Sequence, residues 1–184
     1  MSVEPAKIVD FWREAGPKRW YAKDDAFDGA IRDKFEAAHH AAARGEYAAW
    51  ADSAEGALAL LILLDQFPRN LYRGSAHAFA TDSLARKIAA DAVERGHDRA
   101  VDPMLREFFY LPFSHAEDLA AQDRGVELCR TVGHEPGAAA PDFWARIHRE
   151  IIARFGRFPH RNAALGRTTT SDEQAFLDGG GFSG

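Results

Sequence analysis

Apolar residues recur at helical spacing along most of this 184-residue chain. The segment that begins at about Asp25 shows the pattern over several turns, and Gly45 is a typical residue for ending it. Its apolar stripe consists of Phe27, Ile31, Phe35, Ala38 and Ala42. No segment shows the period-two alternation of an exposed strand. The pattern therefore predicts an all-α protein.

Prolines, glycines and capping residues divide the chain into about eight predicted helices. Asp52 or Ser53 caps an apolar helix over 54–66, and we expect Pro68 to force its end because the residue before a proline avoids helical angles. Ser114 and Glu117 have the spacing of a capping box, which predicts a helix that starts at Ser114. A last short helix is predicted after Ser171, with Gln174 completing a second capping box.

The length and composition favour a single domain over 1–184. The 46% of hydrophobic residues and 11% of aromatic residues are enough for a sizeable core. We expect an antiparallel helical array, with an irregular helical bundle as the alternative. The glycine-rich tail 179–184 is expected to be loose, although Phe182 can dock on the body of the domain.

The charge and the cysteine content restrict the expected binding partners and the expected cellular compartment. The formal net charge of −5 argues against a general attraction to nucleic acid or anionic lipid, so neither partner is expected. The longest apolar run, 57–64, is too short to span a bilayer. The single cysteine, Cys129, fits a reducing compartment, and the N-terminus lacks the layout of a signal peptide. We therefore predict a cytoplasmic location.

Two stretches of the chain resemble each other, 64–71 and 155–162. Each places Phe-Pro at or just beyond a helix end and follows it with Arg and Asn. A third proline-aromatic corner lies at 110–115. Arg and Asn side chains at such a corner can hydrogen-bond the last helical carbonyls. This capping role accounts for one Arg and one Asn at each corner.

More polar residues lie around these corners than helix capping requires. If the corners meet in space, they form either a buried ion-pair network or a pocket for an anionic ligand. Guanidinium groups bind carboxylate and phosphate in a bidentate manner, which favours such ligands for a pocket. The candidate ligand-binding residues are Arg69, Asn70, Arg73, Arg157, Arg161 and Asn162.

Catalysis is the second hypothesis for the same corners. His115 or His160 can act as a general base. The candidates for the carboxylate that orients this base are Asp65, Glu117 and Asp118. No phosphate-binding loop, nucleophile elbow or zinc-binding helix is present. His148 is interpreted differently, as a hydrogen-bonded histidine in or beside the core.

A metal site is not predicted. Glu117 and Asp118 lie close to His115, but residues two apart on a helix do not share a face. No pair of histidines or cysteines has the spacing of metal ligands. We therefore expect neither a metal nor any other cofactor.

Four sequence blocks together carry a family resemblance. They are Asp10-Phe11-Trp12 and the stretches 63–70, 109–118 and 156–162. In this combination the chain, from about Ile8 to Phe182, resembles the bacterial domain of unknown function family 924. The resemblance implies a TPR-like, all-helical superhelical fold, although the sequence shows no strict 34-residue period. It implies no activity.

Three functions remain open at this point. The favoured one is a binding protein for a small anionic molecule or an acidic peptide. The second is a small-molecule hydrolase or another general acid/base enzyme. The third is a structural or assembly protein in which the corners only stabilise the fold. The sequence is compatible with either a monomer or a homodimer.

Overall fold

A computed structural model of the chain describes residues 3–133 and 140–183, and every regular element within these ranges is helical. The all-α prediction is confirmed. The TPR-like arrangement is compatible with these elements and stays a prediction. Over the described ranges, none of the helices combines the length and the hydropathy that a membrane-spanning segment needs.

The helices are α1 (Pro5–Ala15), α2 (Pro17–Trp20), α3 (Asp25–Ala43), α4 (Ala54–Leu61), α5 (Phe67–Leu71), α6 (Asp82–Glu94), α7 (Leu111–Ser114), α8 (Leu119–Cys129), α9 (Phe143–Phe155) and α10 (Ser171–Asp178). A π-helical turn, Ile62–Gln66, joins α4 to α5. Short 3-10 turns cover Ala48–Asp52, Ala76–Phe79, His97–Arg99, Pro103–Phe109 and Pro159–Arg161.

The chain divides into two compact units. Unit 1 comprises residues 3–73 and 77–112, and unit 2 comprises residues 74–76, 113–133 and 140–183. The unit boundary falls within α7. Each unit is described by itself below. A single domain over the whole chain stays a prediction.

Aromatic side chains form the centre of unit 1. Trp12 on α1 is buried and meets Phe67 and Phe108 edge to face, with ring centroids 5.7 and 5.6 Å away. Trp20 packs on Phe108 at 4.9 Å and donates its indole N–H to the Trp12 carbonyl at 2.7 Å. Such pairs add specific ring geometry to the burial of large apolar surfaces.

The sequence predicted that Pro68 ends the helix over 54–66, and this prediction is wrong. The π-helical turn explains why the helical path continues into α5. A proline has no N–H, so the carbonyls one turn earlier lose their usual donor. Two side chains replace it: the Thr81 hydroxyl donates to the Leu64 carbonyl at 2.5 Å, and His39 Nδ1 lies 2.8 Å from the Leu63 carbonyl. Pro68 therefore lies in the first turn of α5 instead of terminating α4.

One face of α3 holds the segment 70–73 through polar contacts that repeat every four residues. The contacting residues on α3 are Asp28, Arg32, Glu36 and His40. Arg32 donates to the Leu71 carbonyl at 2.7 Å. The Tyr72 hydroxyl donates to Glu36 at 3.0 Å and lies 3.1 Å from His40 Nε2. Burial and then this bond to Glu36 raise the pKa of Tyr72 to about 12, so the phenol stays protonated.

Two predicted helix starts are wrong. The helix expected from Ser114 begins at Leu119 instead, where the Asp118 carboxylate caps it by accepting the Ala121 N–H at 2.8 Å. The last helix has Thr170 as its N-cap, and Glu173 completes the capping box one residue before the predicted position. Asp118 lies four residues after the predicted cap Ser114, whereas Thr170 is the neighbour of the predicted cap Ser171.

The apolar core of unit 2 lies against α9. Its buried members are Ile151, Ile152 and Phe158, and partly buried apolar side chains surround them. One of these is Phe182, which follows α10 and packs back on this core. Gly184, the last residue of the predicted tail, lies outside the described residues.

Candidate functional site

The first corner lies in unit 1, where Arg69 is held between two acidic side chains. Its guanidinium forms a bidentate pair with Asp82, at 3.0 and 3.1 Å. The same group donates to the Asp65 carbonyl at 2.5 Å and lies 3.3 Å from the Asp65 carboxylate. Burial opposes charge on Arg69, but the two carboxylates outweigh it and raise the pKa of the guanidinium. Arg69 is thus a fixed cation in an ion-pair network.

Asp65 itself is fully buried on the π-helical turn. Its second oxygen accepts a hydrogen bond from Gln66 Nε2 at 2.5 Å. A buried carboxylate needs such partners because transfer from water costs several kcal/mol without them. These contacts give Asp65 a structural role next to Arg69.

Asn70 and Arg73 share one carboxylate. Asn70 Nδ2 donates to Asp28 at 2.8 Å, and Arg73 donates to both Asp28 oxygens at 2.6 and 3.1 Å. Burial raises the pKa of Asp28, but the bonds from Arg73 and Asn70 more than offset it, so the pKa is lowered. Asn70 therefore ties α5 to α3, and Arg73 ties the residues just after α5 to the same helix.

Arg157 and Asn162, at the corresponding corner of unit 2, converge on Glu173. Arg157 donates to the two Glu173 oxygens at 2.6 and 2.8 Å, and Asn162 Nδ2 donates at 3.2 Å. The Thr170 backbone N–H adds a bond of 2.8 Å. The bonds from Arg157 and then from Thr170 lower the pKa of Glu173 to about 2. Glu173, which sequence reasoning missed, is the centre of this corner.

Glu117 is bound in a similar way. Arg167 donates to both of its oxygens at 2.6 and 3.0 Å, and the Phe158 backbone N–H donates at 2.8 Å. Burial raises the pKa of Glu117, but these bonds outweigh it and lower the pKa. Glu117 therefore anchors the start of the Phe-Pro corner, while Asp118 caps α8.

Unit 2 also contains a group of imidazole rings that pack around Phe158. His148 on α9 lies 6.2 Å from His115, measured between ring centroids. The Phe158 ring packs 5.5 Å from both His148 and His160, and it carries the Arg161 guanidinium 4.5 Å above its face. We call His115, His148, His160 and Arg161 the histidine cluster.

His148 is the buried member of the cluster, with 8% of its surface exposed. Among the described residues, neither of its ring nitrogens has a partner at good hydrogen-bond geometry, although the Ser114 backbone lies close to the ring. Burial, followed by the nearby charges of His115 and Arg161, lowers the pKa of His148 to about 3. The imidazole is therefore neutral at pH 7.

The sequence interpretation of His148 as a buried histidine is confirmed, and the Ser114 backbone is a polar group close to its ring. A sequence signal for an unusual role was present, because His148 shares the apolar face of α9 with Ile151, Ile152 and Phe155. A polar ring at that position has few polar neighbours on its own helix.

The predicted site residues fall into the two units. Unit 1 contains Asp65, Arg69, Asn70 and Arg73, whereas unit 2 contains His115, Glu117, Asp118, Arg157, His160, Arg161 and Asn162. Within unit 2, the fold brings His115, His160 and Arg161 around His148. Arg157 and Asn162 instead belong to the Glu173 network.

In residues 3–133 and 140–183, no group of three or more His, Cys, Asp and Glu side chains is arranged to hold a metal ion. Two open depressions of about 210 and 180 Å³ lie in unit 1, and neither is lined by a predicted site residue.

The chain belongs to the family of bacterial proteins of unknown function described as DUF924, whose model matches residues 8–181. It is also similar to a solved structure, that of the protein of unknown function ATU0120 from Agrobacterium tumefaciens. The two sequences are 54% identical, the match covers 95% of this chain and 97% of that one, and the TM-score is 0.89. No curated protein matches the chain significantly. The family resemblance seen in the sequence is confirmed, and the fold of the relative is shared.

Proposed function

We propose that this protein binds a small anionic ligand, and that the histidine cluster of unit 2 receives it. The observation that carries the proposal is the buried His148 ring, whose nitrogens have no well-aligned partner among the described residues. Buried polar atoms are nearly always hydrogen-bonded, because an unmade bond in the interior costs about 1–3 kcal/mol. An oxygen of a carboxylate or phosphate group would supply a well-aligned acceptor for the His148 N–H.

The local charge supports an anion. Arg161 is buried and stacks on Phe158, so its positive charge lies in a poorly solvated place. Glu117 is close enough for Arg161 to lower its pKa, but both of its oxygens already accept bonds from Arg167. The positive charge of Arg161 also acts on the His148 ring, whose pKa it helps to lower. A neutral His148 donor beside such a charge suits an anionic oxygen better than a cation.

The remaining predicted ligand-binding residues are assigned a structural role in this proposal. An anion at Arg69 would have to displace Asp82, and an anion at Arg73 would have to displace Asp28. Arg157 and Asn162 are bound to Glu173 in the same manner. We place the ligand at the buried His148 ring, close to the charge of Arg161, and leave these four residues and Asn70 in the ion-pair networks.

No observation favours the enzymatic alternative specifically. A general base needs a carboxylate or carbonyl to orient its ring. Of the predicted carboxylates in unit 2, Glu117 accepts bonds from Arg167 on both of its oxygens. A small carboxylate or phosphate ligand, free or at the end of a peptide, is the simpler occupant.

Titration calorimetry with inorganic phosphate tests the proposal. We expect saturable binding to the wild type and a loss of about tenfold or more in affinity in Arg161→Gln, because a charge-assisted bond is removed. Arg124→Gln is the matched control, since Arg124 is an exposed arginine of unit 2 that pairs with Glu127. His148→Gln provides a second variant in case Arg161→Gln unfolds. Equal affinity in all four proteins, or no binding to the wild type, would refute the proposal.

A further inference from the structure

An aromatic ring from the end of the chain covers the histidine cluster. The Phe182 centroid lies 4.6 Å from the His148 ring and 5.3 Å from the His160 ring, with interplanar angles of 61° and 78°. The third neighbour is Trp144, whose ring lies 6.3 Å away at 52°. Phe182 thus occupies a position bordered by three rings, in the tilted and edge-to-face arrangements that aromatic groups prefer.

A tight glycine turn directs Phe182 to this position. Gly180 has φ of +79°, a conformation that side chains other than glycine rarely adopt. The next residue, Gly181, donates its N–H to the Phe176 carbonyl at 2.9 Å, and a Cβ on it would lie 2.5 Å from the Phe176 ring. Both glycines are needed for the chain to turn back on α10. The placement of Phe182 is therefore specified by the sequence.

The ring position also has an exposed aromatic border. Trp144 is 59% exposed and Phe143, which it meets edge to face, is 40% exposed. Exposed apolar surface that is contiguous, as in these two adjoining rings, marks candidate interaction sites. A flat ring that contacted both Trp144 and the imidazoles would bury part of this surface.

We infer that Phe182 occupies a ring subsite of the histidine cluster, and that the ligand is an anion that bears an aromatic ring. The inference rests on the proposed function and names the chemical class of its ligand. The anionic group lies with Arg161 and His148, and the ring takes the place of Phe182 against Trp144. Phe182 is only partly buried, so its displacement exposes a limited apolar surface.

Calorimetric titration with phenyl phosphate and with inorganic phosphate distinguishes the ring subsite from the anion site. Removing the competing side chain in Phe182→Ala should tighten phenyl phosphate binding about five- to tenfold, because a half-buried ring no longer has to be expelled. Inorganic phosphate should bind Phe182→Ala and the wild type equally. Trp144→Ala should weaken the binding of phenyl phosphate and leave that of inorganic phosphate unchanged.

The outcomes separate the two proposals. If both anions bind and neither the phenyl group nor Phe182→Ala changes the affinity, the ring subsite is refuted and anion binding stands. If neither anion binds any of these proteins, both proposals fail. Phe182→Leu serves as the second variant if the alanine variant melts below the assay temperature, because leucine keeps an apolar contact with the core. It should also bind phenyl phosphate more tightly than the wild type, and an unchanged affinity would count against the ring subsite.

Discussion

Acidification should destabilise this protein through His148, and replacing His148 with leucine should remove that part of the pH dependence. The pKa of His148 is about 3 in the folded protein, and 6.5 is the ordinary value expected in the unfolded chain. Below pH 6.5 His148 is protonated in the unfolded chain, whereas it stays neutral in the folded protein until the pH approaches 3. The stability that the neutral ring provides is therefore complete above pH 6.5, and it is lost progressively as the pH falls towards 3.

The magnitude follows from these two pKa values. One proton taken up only by the unfolded chain changes the free energy of unfolding by about 1.4 kcal/mol per pH unit. Between pH 7.5 and pH 5.0 the contribution of His148 should fall by about 2 kcal/mol. In a chain of this length that loss corresponds to about 4–8 °C in melting temperature.

Urea unfolding followed by circular dichroism at several pH values between 7.5 and 5.0 measures the effect. The quantity to compare is the difference in free energy of unfolding between the wild type and His148→Leu, because other titrating groups contribute to both proteins and cancel. This difference should shift by about 2 kcal/mol in favour of the variant at the lower pH. His148→Gln, which also cannot titrate but has a polar side chain, should show the same shift.

A pH-independent difference for both variants would refute the reasoning. It would mean that His148 takes up its proton equally well in the folded and unfolded chain, which is incompatible with a buried, uncharged imidazole. A shift in only one variant would assign the effect to packing instead of titration.

Three further predictions concern the stability of the two units, one in unit 2 and two in unit 1. Glu173→Gln removes the charge that Arg157 binds and should lower stability by about 2–3 kcal/mol at pH 7. In thermal scans this loss should shrink as the pH falls from 4.5 towards 2, because the stability from an Asp or Glu with a lowered pKa is lost over that window. Gly56→Ala places a Cβ 2.2 Å from the Trp50 carbonyl and should cost about 1–3 kcal/mol in urea unfolding. Gly29→Ala, where nothing lies within 4 Å of the new Cβ, should instead stabilise α3 by about 1 kcal/mol. A destabilised Gly29→Ala or a fully stable Gly56→Ala would contradict these packing arguments.

Local patterns predicted the helices where local forces decide them. The stripe beginning at Phe27 gave the bounds of α3 to within two residues, because apolar spacing and a glycine stop act within one helix. Pro68 was misjudged because its compensation is not local. The donors that replace the missing N–H are Thr81 and His39, which lie on other elements.

Local sequence patterns pointed to some of the residues of the candidate site, but contacts between distant elements were again missed. The Phe-Pro corners pointed to His115, His160 and Arg161, which unit 2 brings around one buried ring. The sequence did not reveal which arginines were already paired, because the partners of Arg69 and Arg73 lie 13 and 45 residues away. Pairing at such separations depends on the packing of helices, which residue spacing does not encode.

The ring nitrogens of His148, followed by ¹⁵N NMR at pH 6 during a titration with inorganic phosphate, test the central claim most directly. A bound anion should accept a hydrogen bond from the neutral ring, so the His148 signals should move along a saturable curve as phosphate is added. His39, which is buried in unit 1 and lies 2.8 Å from the Leu63 carbonyl, should not move and serves as the internal control. His148 signals that stay fixed at every phosphate concentration would contradict the account of unit 2 as an anion-binding site.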